Sequence, residues 1–355
     1  MPPSEKPRTA RYKPYYQELE RGKVYLWCAC GRSGRQPFCD GSHTGTPFRP
    51  LRCVAKEEKE EMLLCGCKRT CNPPFCDGTH NNLKDTYDSV DPESPENRAV
   101  PLIEAGSDGK ARLDGGCFVC SVPALALERR GNLRFSPVIS STDGAVYQSQ
   151  FYLEARPGES SIIGFPDRHV VLLVTAGKGS INISGREFEL EPIAGVYIRP
   201  GELFRLRGGG PDGMKVFAAV CPRASAPVWP GEILENFDAT WPRRVVGIDR
   251  SQRRSMSDRF FQLLADKTVG SDMMTQFIGE IPISKATAHR HLYEESLVIL
   301  RGHGYMWTEK KKARVEAGDV IFLPRKQLHS LECADPGGML VAGVIYPGDN
   351  PAINY

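Results

Sequence analysis

From Arg112 to Pro222 the chain runs as short apolar stretches, HVVLLVTA, GSINISG and GVYIRPGELFRL among them, separated by glycine and proline. Runs of that length, rich in valine, isoleucine and aromatic residues and bounded by turn formers, predict antiparallel strands closing into a barrel or sandwich. The last hundred residues have the same texture, so a second β region is expected there. Between the two, SMSDRFFQLLAD at 255–266 predicts a short helix capped by Ser255 or Ser257. Residues 88–100, DSVDPESPENRAV, carry acid, serine and two prolines without an apolar period, which predicts a linker.

At 355 residues the chain exceeds one ordinary compact core, and three domains follow from the pattern. They are expected at 1–90 for a small cysteine-rich module, 101–250 for a first barrel and 251–355 for a second, with 91–100 as the linker. The fold class is thus mainly β. No stretch approaches the ~20 apolar residues that span a bilayer, and the opening MPPSEKPRTARYKPYY lacks the apolar core of a signal peptide. A soluble, cytoplasmic protein without a membrane partner is expected. The 46 basic and 43 acidic side chains leave a net charge of +3 spread along the chain, unlike the clustered basic face of a nucleic-acid binder. Nucleic acid is not an expected partner.

Eight of the twelve cysteines fall before residue 77. In a reducing compartment, clustered cysteines point to metal rather than to disulfides. Residues 28–43 (CACGRSGRQPFCDGSH) and 65–80 (CGCKRTCNPPFCDGTH) form a repeat offset by 37, identical at 9 of 16 positions. Each copy offers three thiolates and one imidazole in the order C-x-C-x8-C-D-G-[ST]-H, a set that suits iron-sulfur clusters or zinc, although the tight C-x-C is unlike most zinc modules. The assigned ligands are Cys28, Cys30, Cys39 and His43, then Cys65, Cys67, Cys76 and His80. Asp40 and Asp77 open a turn that Gly41 and Gly78 permit, which returns each histidine toward the preceding cysteine. Cys53 and Cys71 break the repeat and are expected to be spare thiols. Cys117 and Cys120, three apart on an extended segment, are expected on opposite faces of a strand, and His169 as a hydrogen-bonded structural residue.

This segment, roughly residues 20 to 82, resembles the CDGSH iron-sulfur family of mitoNEET-like proteins, in particular members with two motifs per chain. The resemblance implies a two-iron two-sulfur cluster in each motif, with two cysteines on one iron and Cys39/His43 or Cys76/His80 on the other, and a role in electron or cluster transfer.

In the second β region, AHRHLYEESLVILRG places His289 and His291 two apart, hence on one face of a strand, with Glu295 just beyond a bend. His329 follows in GDVIFLPRKQLHSLE. Three imidazoles and one carboxylate suit iron, manganese, nickel or copper and leave positions open for substrate or dioxygen. Met273, Phe277, Leu297 and Ile299 are the expected apolar surroundings. These residues look like the two cupin motifs: H-x-H-x3-E-x6-G runs from His289 to Gly302, and Gly318, Pro324 and His329 match G-x5-P-x-G-x2-H. Ser284 or Lys285 stands in the region of the first glycine, and Lys326 replaces a later one, so the turn before His329 is expected to differ. The earlier β region resembles a second cupin, making a bicupin. It has no H-x-H between Gly164 and Gly177, and Phe204 or Leu206 stands near the place of the later histidine, which implies a barrel without metal.

Cupins support many chemistries, so the barrel alone does not name one. Two electron carriers tethered to a redox-inert metal would have little use. The combination therefore points to a non-haem iron oxygenase acting on a small organic substrate, with Fe(II) as the mononuclear metal and an external reductase as partner. Three alternatives stay open: a dioxygenase whose electrons all come from substrate while the clusters sense redox state, an iron-sulfur carrier or redox sensor whose bicupin binds a ligand, and a metal-dependent bicupin hydrolase. Oligomeric state is left open.

Overall fold

A computed structural model describes residues 5–83, 90–223 and 225–355; positions 88 and 89 of the expected linker lie outside the described residues. The chain is mainly β. A small cysteine-rich module leads into two barrels built from a ten-stranded sheet and from an eight-stranded sheet facing a four-stranded one. In the module, Tyr15–Leu19 pairs antiparallel with Glu60–Leu64, and Val24–Trp27 with Leu51–Val54. Leu19, Trp27, Ala55, Met62 and Leu64 pack there around Cys65 and Cys67.

The first barrel is organised by two long strands, His169–Ile183 and Leu203–Cys221, paired antiparallel along most of their length. Alternation decides what each residue covers. Val170, Leu172 and Val174 fill the barrel interior with Phe204 and Leu206, whereas Val171 and Leu173 point the other way, into a core shared with the second barrel. The second barrel repeats this: Leu297 and Ile299 face its interior, and Val298 faces the shared core. Both faces of these strands are buried, which is why HVVLLV and SLVIL read as unbroken apolar runs rather than as alternating ones.

Two expectations are corrected by the pairing. Residues 255–266 form no helix. Arg254–Met256 and Arg259–Ala265 make a hairpin around Ser257-Asp258, with Ser257 at φ 61°, and the longer arm joins Thr275–Ile281. Phe261 enters the barrel interior while Leu264 and Ala265 enter the shared core, so burial on two faces overrides local helix propensity. Second, residues 110–121, expected within the first barrel, belong to the other one: Phe118–Ser121 pairs with Asp319–Leu323, and Lys110–Arg112 with Phe118–Ser121. The expected linker holds a helical turn, Pro95–Arg98, capped by the Ser94 hydroxyl, which accepts from the Asn97 N–H at 3.3 Å.

Cys117 and Cys120 lie in different cores, on opposite faces as their spacing requires. His169 Nδ1 stands 2.6 Å from the Tyr197 hydroxyl. Phe204 and Leu206 are fully buried. The first barrel's polar anchor is Arg244, whose guanidinium bonds both Glu202 oxygens at 2.6 and 2.8 Å with side-chain exposures of 0% and 3%. Truncation leaves a buried carboxylate without its counter-charge, so Arg244→Ala is expected to cost about 3–5 kcal/mol, read as a lower urea midpoint for this barrel. An unchanged midpoint would show that the pair adds nothing.

Candidate metal centres

In the first motif Cys28 Sγ lies 3.6 Å from Cys30 Sγ, and Cys39 Sγ lies 3.1 Å from His43 Nδ1. In the second, Cys65 and Cys67 are 3.5 Å apart and Cys76 Sγ is 3.4 Å from His80 Nδ1. Two thiolates about 2.3 Å from one tetrahedral ion stand ~3.8 Å apart, so each pair is spaced to share an iron and each motif offers two such pairs. Backbone N–H groups of Arg32 and Gly41 point at Cys30 and Cys39 sulfur, and that of Lys68 at Cys65, all within 3.4 Å. Burial pushes the Cys76 thiol up to about 12, and Cys67 donating to Cys65 lowers Cys65 to about 6 and raises its own. Thiols packed this way ionise together only when a cation compensates, which is what a cluster supplies. The residues fit the group. Cys53 instead packs on the Met62 sulfur at 3.6 Å and Cys71 is exposed.

The two motifs differ in surroundings. Cys39 and His43 are only half-buried, whereas Cys76 and His80 are buried. The second motif is covered because the module docks on the second barrel there. Asn81 Nδ2 donates to Ala352 O at 2.7 Å, Asn350 Nδ2 to Asp77 O at 2.9 Å, and Asn82 Nδ2 to Ser255 O at 3.1 Å. Tyr16 stacks on Tyr355 with centroids 5.3 Å apart, and Glu61 pairs with Arg325 at 3.0 Å and with Lys326. Between the motifs, Trp27 Nε1 and Lys68 Nζ both donate to Cys65 O, at 3.1 and 2.9 Å, and the ammonium sits 4.5 Å from the indole.

In the second barrel the nitrogen atoms of His289, His291 and His329 that could bind an ion all lie within 4.8 Å of one another. His289 and His329 face each other across an antiparallel bridge, N–H to C=O at 3.0 and 3.1 Å. The Nδ1–H of His289 donates to Thr287 O at 2.9 Å, and that of His329 to Gln327 O at 2.8 Å. Carbonyls accept only, so these bonds fix the tautomer and turn Nε2 toward the shared centre. His291 stacks on Tyr293 at 4.4 Å. Burial holds the His329 imidazolium down at about 4, and burial with the neighbouring imidazoles holds His289 and His291 well below the usual histidine range. All three are neutral near pH 7, the form that binds metal. Glu295 is not part of the tight trio; its Oε2 lies 3.6 Å from His291 Nδ1, and burial pushes its carboxyl up to about 8.

Lys326 stands where a glycine was expected, and the turn keeps a glycine-like backbone: Lys326 has φ 65° and its N–H bonds His291 O at 2.9 Å. From that turn the Lys326 ammonium reaches the carboxylate of Glu61 on the module.

The histidines open into a cavity of about 170 Å³ lined by Phe261, Phe277, Leu297 and Arg259, and also by His80 of the second cysteine motif. Of the expected apolar surroundings, Phe277 and Leu297 line it; Ile299 is buried in the core and Met273 is on the surface. Arg259 places positive charge beside His289 and His329. The shared cavity was not visible in the sequence, since His80 and His289 are 209 positions apart and no periodicity links them.

The family model described as "Iron-binding zinc finger CDGSH type" matches residues 6–44, and the cupin domain model matches 281–345. The mouse protein named "CDGSH iron-sulfur domain-containing protein 3, mitochondrial" is 52% identical over 54 residues, 15% of this chain and 39% of that protein. The human protein of the same name is 52% identical over 48 residues, 13% of this chain and 38% of its own. The chain thus spans about two fifths of the curated relatives it matches. Among solved structures, protein Ylba from E. coli aligns with TM-score 0.51 at 15% identity, over 72% of this chain and 98% of that one. A mutant of Bacillus subtilis oxalate decarboxylase aligns with TM-score 0.53 at 12% identity, over 65% and 77%. At such identity the likeness shows the fold alone. Among the described residues no helix is long and apolar enough to cross a membrane. The chain joins a CDGSH-type iron-sulfur module at its N-terminal end to a metal-binding cupin domain at its C-terminal end.

Proposed function

We propose that the protein is a non-haem iron oxygenase for a small organic substrate, and that two two-iron two-sulfur clusters on its module feed electrons to iron in the second barrel. The observation that supports this most is the shared cavity, whose wall includes His80, the proposed ligand of the second cluster, together with the three histidines. Bound iron would supply dioxygen chemistry and the clusters one-electron storage. The chain's own residues supply the rest. His289, His291 and His329 hold the metal, with Glu295 as the fourth ligand once it gives up its proton. Thr287, Gln327 and Tyr293 lock the imidazoles in place, and a metal site needs that second layer to keep its geometry. Phe261, Phe277 and Leu297 offer an apolar wall to the substrate body and keep water away. Trp27 and Lys68, both bonded to Cys65 O, join the two motifs by a packed route.

The test needs no substrate. Anaerobically purified chain is expected to contain about five irons and four inorganic sulfides, two clusters of two plus one. When its clusters are reduced while the barrel iron is ferric, the high-spin ferric EPR signal should decay at the rate the clusters reoxidise. A ferric signal that persists beside reduced clusters would overturn electron delivery, and zinc without acid-labile sulfide would overturn the clusters.

A further inference from the structure

The two halves of the module use the same face differently. With the repeat offset of 37, Val24 and Leu26 correspond to Glu61 and Leu63. The equivalence holds in the backbone: Cys39 N donates to Leu26 O at 2.7 Å, and Cys76 N to Leu63 O at 2.8 Å. In the second motif this face is docked, with Glu61 held by Arg325 and Lys326 of the barrel. In the first it is open. Val24 is 48% and Leu26 46% exposed, and Arg52, opposite Leu26 across the strand pair, is exposed beside them.

Charge separates the halves as well. Residues 20–55 hold six basic side chains (Arg21, Lys23, Arg32, Arg35, Arg49 and Arg52) against two acidic ones, all eight exposed. Residues 56–83 hold four basic against five acidic. The first segment alone thus exceeds the +3 of the whole chain. Lys23 is paired with Glu20 and Arg32 with Glu5, while Arg21, Arg35, Arg49 and Arg52 have no carboxylate partner among the described residues. An exposed apolar pair with Arg52 opposite Leu26 and Arg21 bridged to Ala55 at the end of the strand pair, on a segment whose charge is otherwise basic, is the composition of a protein-docking patch rather than of a solvated surface. It lies against the loop carrying Cys39 and His43, the half-buried ligands of the first motif.

We propose that this face is the docking site for an electron-donor protein whose own redox centre is ringed by acidic side chains, and that electrons enter at the first motif and leave at the second. The inference rests on the proposed function and specifies its partner. The internal interface sets the rule for the external one. Where the second motif meets the barrel, the module supplies the carboxylate and the barrel the cations; at the first motif the module supplies the cations, so the partner supplies carboxylates. Complementary charge of this kind accelerates encounter and orients the two centres.

The experiment follows reduction of the clusters in the full chain by stopped flow, read as loss of their visible absorbance, with reduced flavodoxin as an acidic protein probe and dithionite as a small one. Reduction by flavodoxin is expected to slow steeply as salt rises, and to fall about tenfold or more in Arg21→Glu/Arg52→Glu. Leu26→Gln should slow it without changing the salt dependence. Lys178→Glu/Lys310→Glu, the same charge change on the barrels, should leave it unaltered. Dithionite should reduce every variant at the parent rate, which also shows that the clusters are intact. Reduction by flavodoxin that ignores salt and the Arg21→Glu/Arg52→Glu change would overturn the proposal. So would saturable binding of the parent, but not that variant, to phosphatidylserine vesicles together with slow flavodoxin reduction, which would assign the face to a lipid surface. Fast cluster reduction with barrel iron left ferric would sink the oxygenase reading and leave the docking face standing.

Discussion

Replacing His291 by alanine is expected to empty the barrel of metal and leave the visible spectrum of the clusters nearly unchanged. His291 belongs to a trio whose donor atoms lie within 4.8 Å of one another, and none of the eight proposed cluster ligands is drawn from the barrel. Loss of a residue that merely supports a ligand lowers metal affinity ~10–100-fold, so loss of a ligand itself should cost more than that. Iron per chain should therefore fall by about one of five while sulfide stays at about four. The side chain is buried and stacked on Tyr293, so some stability is lost too, which melting of the variant will register. Retained barrel iron would remove His291 from the ligand set. Lost cluster absorbance would mean that the module cannot hold its clusters unless the cavity beside His80 is intact.

How much of this was legible beforehand follows from what sets each feature. The eight thiolate and imidazole positions are close in sequence, at spacings that a turn through Asp40-Gly41 or Asp77-Gly78 closes, and the structure pairs Cys39 with His43 and Cys76 with His80. His289 and His291 share a face because a strand has period two, and that too needs no partner. Long-range pairing was not readable. Phe118–Ser121 carries the same apolar pattern whichever barrel it joins, and only its pairing with Asp319–Leu323 decides. The 255–266 hairpin reads as a helix from sequence alone because FFQLLA satisfies a helical face nearly as well as the two faces of a strand, and the neighbour at Thr275–Ile281 settles the matter. Lys326 looked like a departure from a glycine turn. Its value lies in Glu61, 265 positions away, which no local rule connects to it.

Serine at Cys76 and serine at Cys39 should separate the roles of the two motifs. In the proposed ligand sets each substitution removes a thiolate that pairs with a histidine, and each is expected to lose or damage its own cluster while sparing the other, because the sets do not overlap. Their consequences differ with position. Cys76 belongs to the buried motif whose His80 lines the barrel cavity, so Cys76→Ser should leave the barrel iron ferric under any protein donor, with electrons reaching the first motif and stopping there. Cys39 belongs to the open motif beside the basic face, so Cys39→Ser should abolish reduction by a docked protein and retain reduction by dithionite, which needs no docking face. Barrel metal should stay at the parent level in both, since His289, His291 and His329 are untouched. The measurement is the ferric EPR signal of each variant under each reductant, with sulfide content confirming that about two sulfides remain. If Cys76→Ser still passes electrons to the barrel from a protein donor, the second motif is not the exit. The shared cavity would then have to be read as a substrate site whose wall merely includes a cluster ligand.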